Sequence, residues 1–586
     1  MKYPVLNVLE TERNIIQNFA GYNHSLSIKD NEFYNMENLT STYFPILSPR
    51  IKRGTFLADQ ENNINPLALV AKDEIGYIDG RYFVYKGNKI DLSLATWDTM
   101  LPKTIISMGA YVIILPDKKY VNTADLSDNG NIEATHTMFS DETATFEMCD
   151  IYGNTYKDVI KNDTEPENPK DKQYWIDTSI KPYTLKQYSK YTGMWASIAT
   201  TYIKITSKEL GSRFNQYDGV TIDGILDERL SDLNSSLIIW EKDNDSIVVT
   251  GFIDETITQS GEEGRISVVR KMPEMDFICE SGNRLWGCRW DENTNVNEIY
   301  ASKLGDFKNW SCFMGISTDS YAASVGTDGP FTAAVSHLGY PIFFKETCLH
   351  KVFGNTPSNF QIQTTSCRGV AKGNEKSLAE VNEVLYYKSR NAVCAYDGSL
   401  PVEISQDLGD QIFSHAVAGG INNKYYISMK DTNNVYQLFV YDTQKGMWHR
   451  EDNTRVKEFC NCNGELYYID ANNNIRTVLG SFVKDTEPVN WMAETGIIGT
   501  EYPDKKYISR LLIRMSLELN SHVSFYIQYD SQDEWSLAGD MTGTSLRSFY
   551  VPIKPKRCDH FRLRIVGIGE AKIFSVVKTI EQGSDM

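Results

Sequence analysis

Apolar and polar positions alternate over short distances along most of this chain. Runs of four to eight residues rich in Tyr, Phe, Val and Ile are closed by Asn, Asp and Gly, the pattern of half-buried strands joined by tight turns. Residues 67–71, 74–78, 81–85 and 89–92 predict one antiparallel meander, and 104–108, 111–115 and 119–122 a second. The pattern returns near residue 277. There 383–387 pairs with 392–396, 424–429 with 437–441, and 465–469 with 475–478. Helical periodicity is confined to two faces, Leu9, Ile15, Ile16 and Phe19, then Leu378, Val381 and Leu385. The second face runs straight into the strand-like stretch 384–388.

Spacing then suggests an architecture. Aromatic pairs at 343–344, 386–387, 425–426 and 467–468 recur at intervals of 43, 39 and 42 residues. That is the length of a four-stranded propeller blade, and six or seven blades fit. A two-sheet sandwich with irregular loops is the alternative. Residues 140–270 break the pattern. Their charged, Pro-bearing stretch 164–172 is incompatible with a central strand, and the small strands after it read as an inserted β module. The last hundred or so residues carry five alternating runs and read as a β-sandwich. The expected fold is therefore all-β. Its parts are an N-terminal arm (1–64), a β-propeller in two parts (65–139 and 271–482), an inserted small β domain (140–270) and a C-terminal β-sandwich (483–586).

Composition narrows the function classes. The 586 residues carry 59 Lys and Arg against 77 Asp and Glu, a net charge of −18. That balance disfavours broad attraction to nucleic acid or anionic lipid, because neutralising phosphates takes a cationic surface. The longest apolar runs fall far short of the ~20 residues of a membrane-spanning helix. Met1 to Glu10 meets charge too early for a signal peptide, so a soluble protein made in a cytosol is expected. Ten scattered cysteines do not make a disulfide framework, and Cys460 and Cys462 read as buried thiols on one strand.

Motifs of catalysis are missing: no nucleophile elbow, no zinc-protease helix, no phosphate loop and no dinucleotide fingerprint. The eight histidines are isolated in sequence. No catalytic residue and no cofactor is expected. One metal candidate presents oxygen side chains at alternate positions, Asp291, Asn293 and Asn295. It lacks the glycine and the closing acid of a full calcium loop, so a polar hairpin tip is the plainer reading. A glycosidase carboxylate pair assembled from distant blades would leave no local trace. Two basic clusters stand against the acidic background, Arg50, Lys52 and Arg53, then Lys554, Lys556 and Arg557. Without interleaved aromatics for base stacking they read as candidate subunit contacts.

Several stretches resemble tailed-bacteriophage virion proteins. They are Phe19-Ala-Gly-Tyr-Asn23, Glu37-Asn-Leu-Thr40, Phe44-Pro-Ile-Leu-Ser-Pro-Arg50, Asn283-Arg-Leu-Trp-Gly-Cys288, the segment from Asn297 to Trp310, Tyr340-Pro-Ile-Phe-Phe-Lys345, Tyr396-Asp-Gly-Ser-Leu-Pro401 and Phe439-Val-Tyr-Asp-Thr443 with Trp448. The family they resemble is the phage stabilisation, or tail accessory (nozzle), proteins. Membership implies a structural virion protein without enzymatic activity, a propeller-based subunit of a hexameric ring that retains and then conducts genomic DNA. The implied partners are further copies of itself, portal or head–tail adaptor proteins, tail needle or fibre proteins, and DNA passing without sequence-specific binding. No membrane insertion is implied. The implied location is the virion tail, assembled in the host cytoplasm. Two other functions compete: a receptor- or glycan-binding tail protein whose aromatic-rich insertion grips sugar, and a propeller glycoside hydrolase.

Overall fold

In the computed structural model, residues 11–58, 65–95, 103–501, 505–532, 534–543 and 545–582 are described. Met1 to Glu10, read above as no signal peptide, lies outside them, as do Leu9 and the junction at residue 64. The chain forms two compact units: 1–105, 342–350 and 364–586 make the first, 106–341 and 351–363 the second. Strands dominate throughout, and the helical elements among the described residues are 3-10 turns of three to six residues. Neither expected helix face forms a helix. Thr11–Ile16 is a strand, and Ala379–Val381 and Val384–Lys388 are the two strands of a hairpin. β-Branched and aromatic side chains here pack better on a pleated surface than on a helix.

The repeat seen in the sequence corresponds to seven small meanders, numbered here I to VII. Meander I comprises Pro66–Ala71, Ile75–Asp79, Tyr82–Tyr85 and Asn88–Asp91; II spans 104–131, III 277–324, IV 333–366, V 379–403, VI 414–450 and VII 456–484. No strand pairing joins one meander to the next among the described residues. What the pairing establishes is an all-β chain of small sheets, antiparallel but for the pair Ile160–Asn162 and Tyr174–Asp177.

In the first unit, the leading strands of successive meanders lie side by side. Ala379–Val381 of V neighbours Ser414–Ile421 of VI, which neighbours Val456–Cys462 of VII, which neighbours Pro66–Ala71 of I. Two glycines make the close approach possible. A Cβ on Gly419 would sit 2.6 Å from the Phe459 side chain, and one on Gly420 2.6 Å from Val381. Adjacent residues of one strand thus open onto opposite neighbours, as the two-residue period requires.

In the second unit, meanders II and III share a core of Met108, Ile113, Leu285, Phe307 and Trp310 although more than 140 residues separate their first strands. The stretch between them folds as two sheets around their own core, including Phe146, Ile205, Val220, Val249 and Val268. Outside that core stands a separate sheet of Ile160–Asn162, Tyr174–Asp177, Thr184–Ser189 and Met194–Ser197.

The N-terminal segment is distributed among other parts of the first unit. Gly54–Leu57 pairs with Ile475–Thr477 and Val483–Lys484, completing meander VII with a strand more than 400 residues upstream. Phe33–Glu37 joins Asn490–Thr495, and Thr11–Ile16 joins Ala571–Gln582. The latter two strands are edges of a pair of four- and five-stranded sheets that also contain Lys506–Leu517, His522–Tyr529 and Phe561–Ile568. Leu511, Ile513, Phe525, Leu563, Ile565 and Val576 from the two sheets meet in one core. Lys506–Leu517 alternates buried and more exposed positions along much of its length, the burial expected of a sheet with one face inward.

Candidate functional site

A cleft of about 730 Å³ opens in the first unit where the N-terminal segment crosses meander V. After the strand Val402–Glu403, the chain makes a 3-10 turn, Gln406–Leu408, and stops at Gly409. Gly409 has φ +66°, and a Cβ there would lie 2.6 Å from the His24 carbonyl oxygen. Both the backbone conformation and the close approach therefore call for glycine. The His24 amide donates to the Asp407 carbonyl oxygen at 2.8 Å, tying the incoming segment to this turn.

The turn brings polar groups of different kinds to one wall. The Glu403 carboxylate accepts from Arg368 Nη1 at 2.6 Å and from Ser405 Oγ at 3.4 Å. Asp410 also lines the cleft; it is exposed and has no ion pair among the described residues. Gln411 Oε1 is buried without a hydrogen-bond partner among the described residues. Such an orphan acceptor costs about 1–3 kcal/mol unless something fills its lone pairs. Lys388, 4% exposed, donates to the Ser389 and Arg390 carbonyl oxygens at 2.6 and 3.3 Å. Burial lowers its ammonium to about 8.

The His24 and Tyr34 rings on the lining are stacked, with centroids 4.1 Å apart and planes 24° from parallel. The next residue along the turn, Asp407, is held above the ordinary carboxylate range by burial and then by the charge of Glu32. The other perturbed carboxylates among the described residues are pushed down. Chemically, the cleft combines the His24–Tyr34 stack, whose rings also meet Tyr22 and Arg562, with two carboxylates. That set suits a ligand rich in hydroxyl groups.

The candidates read from the sequence lie elsewhere. Asp291 ends the strand Arg284–Asp291 and Asn295 sits in the following turn with φ +55°. The Asp291 Oδ1 accepts from the Asn293 amide at 3.0 Å, which holds the carboxyl below its usual range, so the trio builds a hairpin tip. No group of three or more His, Cys, Asp or Glu gathers as a metal site among the described residues. Arg53 is 5% exposed and faces its own chain, with Glu451 at 2.6 Å and Asp452 at 2.9 Å. Arg50 reaches the same two carboxylates at 3.6 and 3.5 Å. Lys52 donates to the Thr486 carbonyl oxygen at 2.8 Å. Lys554, Lys556 and Arg557 are exposed on the loop before Cys558. All ten cysteines are free; Cys462 is buried and Cys460 partly so. Trp448, read as a packing residue, is fully buried and donates Nε1–H to the Ile404 carbonyl oxygen at 2.6 Å.

Sequence reasoning missed the cleft because its two halves lie more than 350 residues apart. The one local signal is the polar turn Ser405-Gln-Asp-Leu-Gly409, where glycine follows a short turn.

No family model and no curated protein matches the chain. Solved structures do. An exo-β-1,3-galactanase of Phanerochaete chrysosporium with galactose is similar at 8% identity over 51% of this chain and 94% of that one, with a TM-score of 0.21. A GH43 glycoside hydrolase with an engineered active site gives 9% identity, 53% and 97% coverage, and a TM-score of 0.20. A sialidase of Trypanosoma rangeli gives 9% identity, 90% and 95% coverage, and a TM-score of 0.19. The matches include glycoside hydrolases, which stands against the expectation of a chain without enzymatic activity. No helix among the described residues is long and apolar enough to cross a membrane.

Proposed function

We propose that this chain engages carbohydrate in the cleft between His24 and Gln411. The observation that supports this reading is the lining itself: the stacked His24–Tyr34 pair beside Glu403 and the exposed Asp410. Sugar rings offer C–H faces to aromatic side chains and many hydroxyl donors to carboxylate and amide oxygens. In the sharper form of the proposal, Glu403 and Asp410 are a pair of carboxyl groups that flank a glycosidic bond and divide acid and base roles between them. The meanders are then the blades of the propeller suggested by the repeat spacing, with loops such as 404–411 forming the binding surface.

The test is to incubate the intact protein with defined oligosaccharides of two to six residues, measuring binding by calorimetry and cleavage by release of reducing ends. Saturable binding that is lost in Asp410→Asn supports the reading. Cleavage lost in Glu403→Gln and Asp410→Asn establishes the hydrolase form, whereas binding without cleavage leaves a glycan receptor. Absence of both across the set overturns the proposal.

A second reading places the chain in the tail of a phage virion as a subunit of a ring. It is supported by the resemblance of Phe19–Asn23, Phe44–Arg50 and Asn297–Trp310, and by the exposed basic loop Lys554, Lys556 and Arg557 on a chain of net charge −18. Imaging of virions decides it. Cyclic density at the tail axis containing this chain supports the ring, and its absence from purified particles overturns it.

A further inference from the structure

A second cleft in the first unit, of about 320 Å³, lies where the strand Leu39–Thr40 and the residues after it pass the Asn422–Asn423 turn of meander VI. Lys424 forms one wall. Its ammonium donates to Thr40 Oγ1 at 2.7 Å and Thr42 Oγ1 at 3.0 Å, and no carboxylate reaches it within ion-pair distance among the described residues. The third N–H of the ammonium is therefore unspent. Burial pushes its pKa down, outweighing the more distant attraction of Glu451 and Asp442.

The two carboxylates on the same lining are already matched. Asp442 accepts from Ser41 Oγ at 2.5 Å and from Lys445 Nζ at 3.1 Å. Glu451 is paired with Arg53 at 2.6 Å and with Arg50 at 3.6 Å. Lys445 and Arg50 are spent on these acids, so Lys424 is the lining cation without an ion pair among the described residues. The threonine hydroxyls lie 2.9 Å apart, so one donates to the other and the second keeps a free proton. The Tyr426 hydroxyl adds a donor with no partner among the described residues.

We propose that this cleft seats a compact oxyanion, a phosphate or sulfate group, on Lys424 with the hydroxyls of Thr40, Thr42 and Tyr426. Charge-assisted hydrogen bonds from a lysine and neutral hydroxyls suit a tetrahedral oxyanion, and the lysine acts as a point charge. The inference stands apart from the carbohydrate reading, because the residues and the ligand chemistry are different.

The experiment titrates the full chain with inorganic phosphate, and separately with inorganic sulfate, at constant ionic strength set by chloride. Binding is read by calorimetry and by ³¹P line broadening that sulfate reverses. Saturable binding of either anion is expected, weakened at least tenfold in Lys424→Met and measurably in Thr40→Val with Thr42→Val. Equal affinity in Lys424→Met overturns the proposal. So does a response that chloride reproduces. If Lys424→Met does not fold, the ³¹P titration of the unaltered protein decides: broadening that sulfate does not reverse, or no broadening, overturns it.

Discussion

Two places where the N-terminal segment meets the meanders use the same residue types to opposite ends. At the seam beside meander VII, Arg53 and Arg50 face Glu451 and Asp452, so each charge has an opposite charge within 4 Å. At the cleft beside meander V, Asp410 is exposed and has no ion pair among the described residues. Charges in the seam are committed to holding the fold. In the cleft the Asp410 carboxylate is unspent and open to solvent. The difference separates charges that hold the fold from a carboxylate that the fold does not need.

The seam should show the largest loss on mutation. Arg53→Ala leaves the buried Glu451 carboxylate without its main partner and should cost about 3–5 kcal/mol in denaturant unfolding. The double replacement Arg53→Met with Glu451→Leu should recover much of that loss, because an apolar pair avoids the desolvation of both ions. A double variant no more stable than Arg53→Ala breaks the account of the seam. At the cleft, Gly409→Ala places a Cβ at positive φ against the His24 carbonyl oxygen and should cost about 1–3 kcal/mol. Unchanged stability there would mean that the N-terminal segment is not held on the turn.

Acid sharpens the comparison further. His449, 4% exposed, lies near Lys424, Asp442 and Lys445, and burial lowers its pKa to about 3. The unfolded chain takes up this proton below about pH 6.5, whereas the folded chain keeps the ring neutral to about pH 3. Unfolded protein then binds more protons, so stability falls as pH drops through this window, by at most roughly 1.4 kcal/mol per pH unit. Chemical denaturation of His449→Gln between pH 6.5 and 4 should show a shallower slope by about that amount. An unchanged slope contradicts a neutral buried ring. The smallest effect on stability belongs to the cleft: Asp410→Asn should change unfolding by less than about 0.5 kcal/mol, since an exposed, unpaired carboxylate contributes little to the fold.

The meanders were legible because their information is local. Alternation, turn residues and a 39–43-residue repeat all act within one hairpin, and the structure pairs 384–388 with 393–396 and 424–430 with 436–442 as the turns require. The N-terminal strands were not legible. Gly54–Leu57 has little pattern of its own, and its partner Ile475–Thr477 lies more than 400 residues away. Arg53 shows the same limit. As a sequence feature it is part of a basic run open to a neighbour, yet its partners are Glu451 and Asp452 of the same chain. The cleft combines His24 and Tyr34 with Glu403 and Asp410, four ordinary residues made distinctive by tertiary proximity alone.

The central claim is that the lining of the cleft meets carbohydrate. The most direct measurement is calorimetric titration of defined oligosaccharides into the intact protein, its Asp410→Asn variant and its Tyr34→Ala variant, each first shown to unfold cooperatively. The account predicts saturable binding by the unaltered chain, lost or weakened at least tenfold in both variants. Binding of the same strength in all three proteins, or none in the unaltered chain, contradicts it.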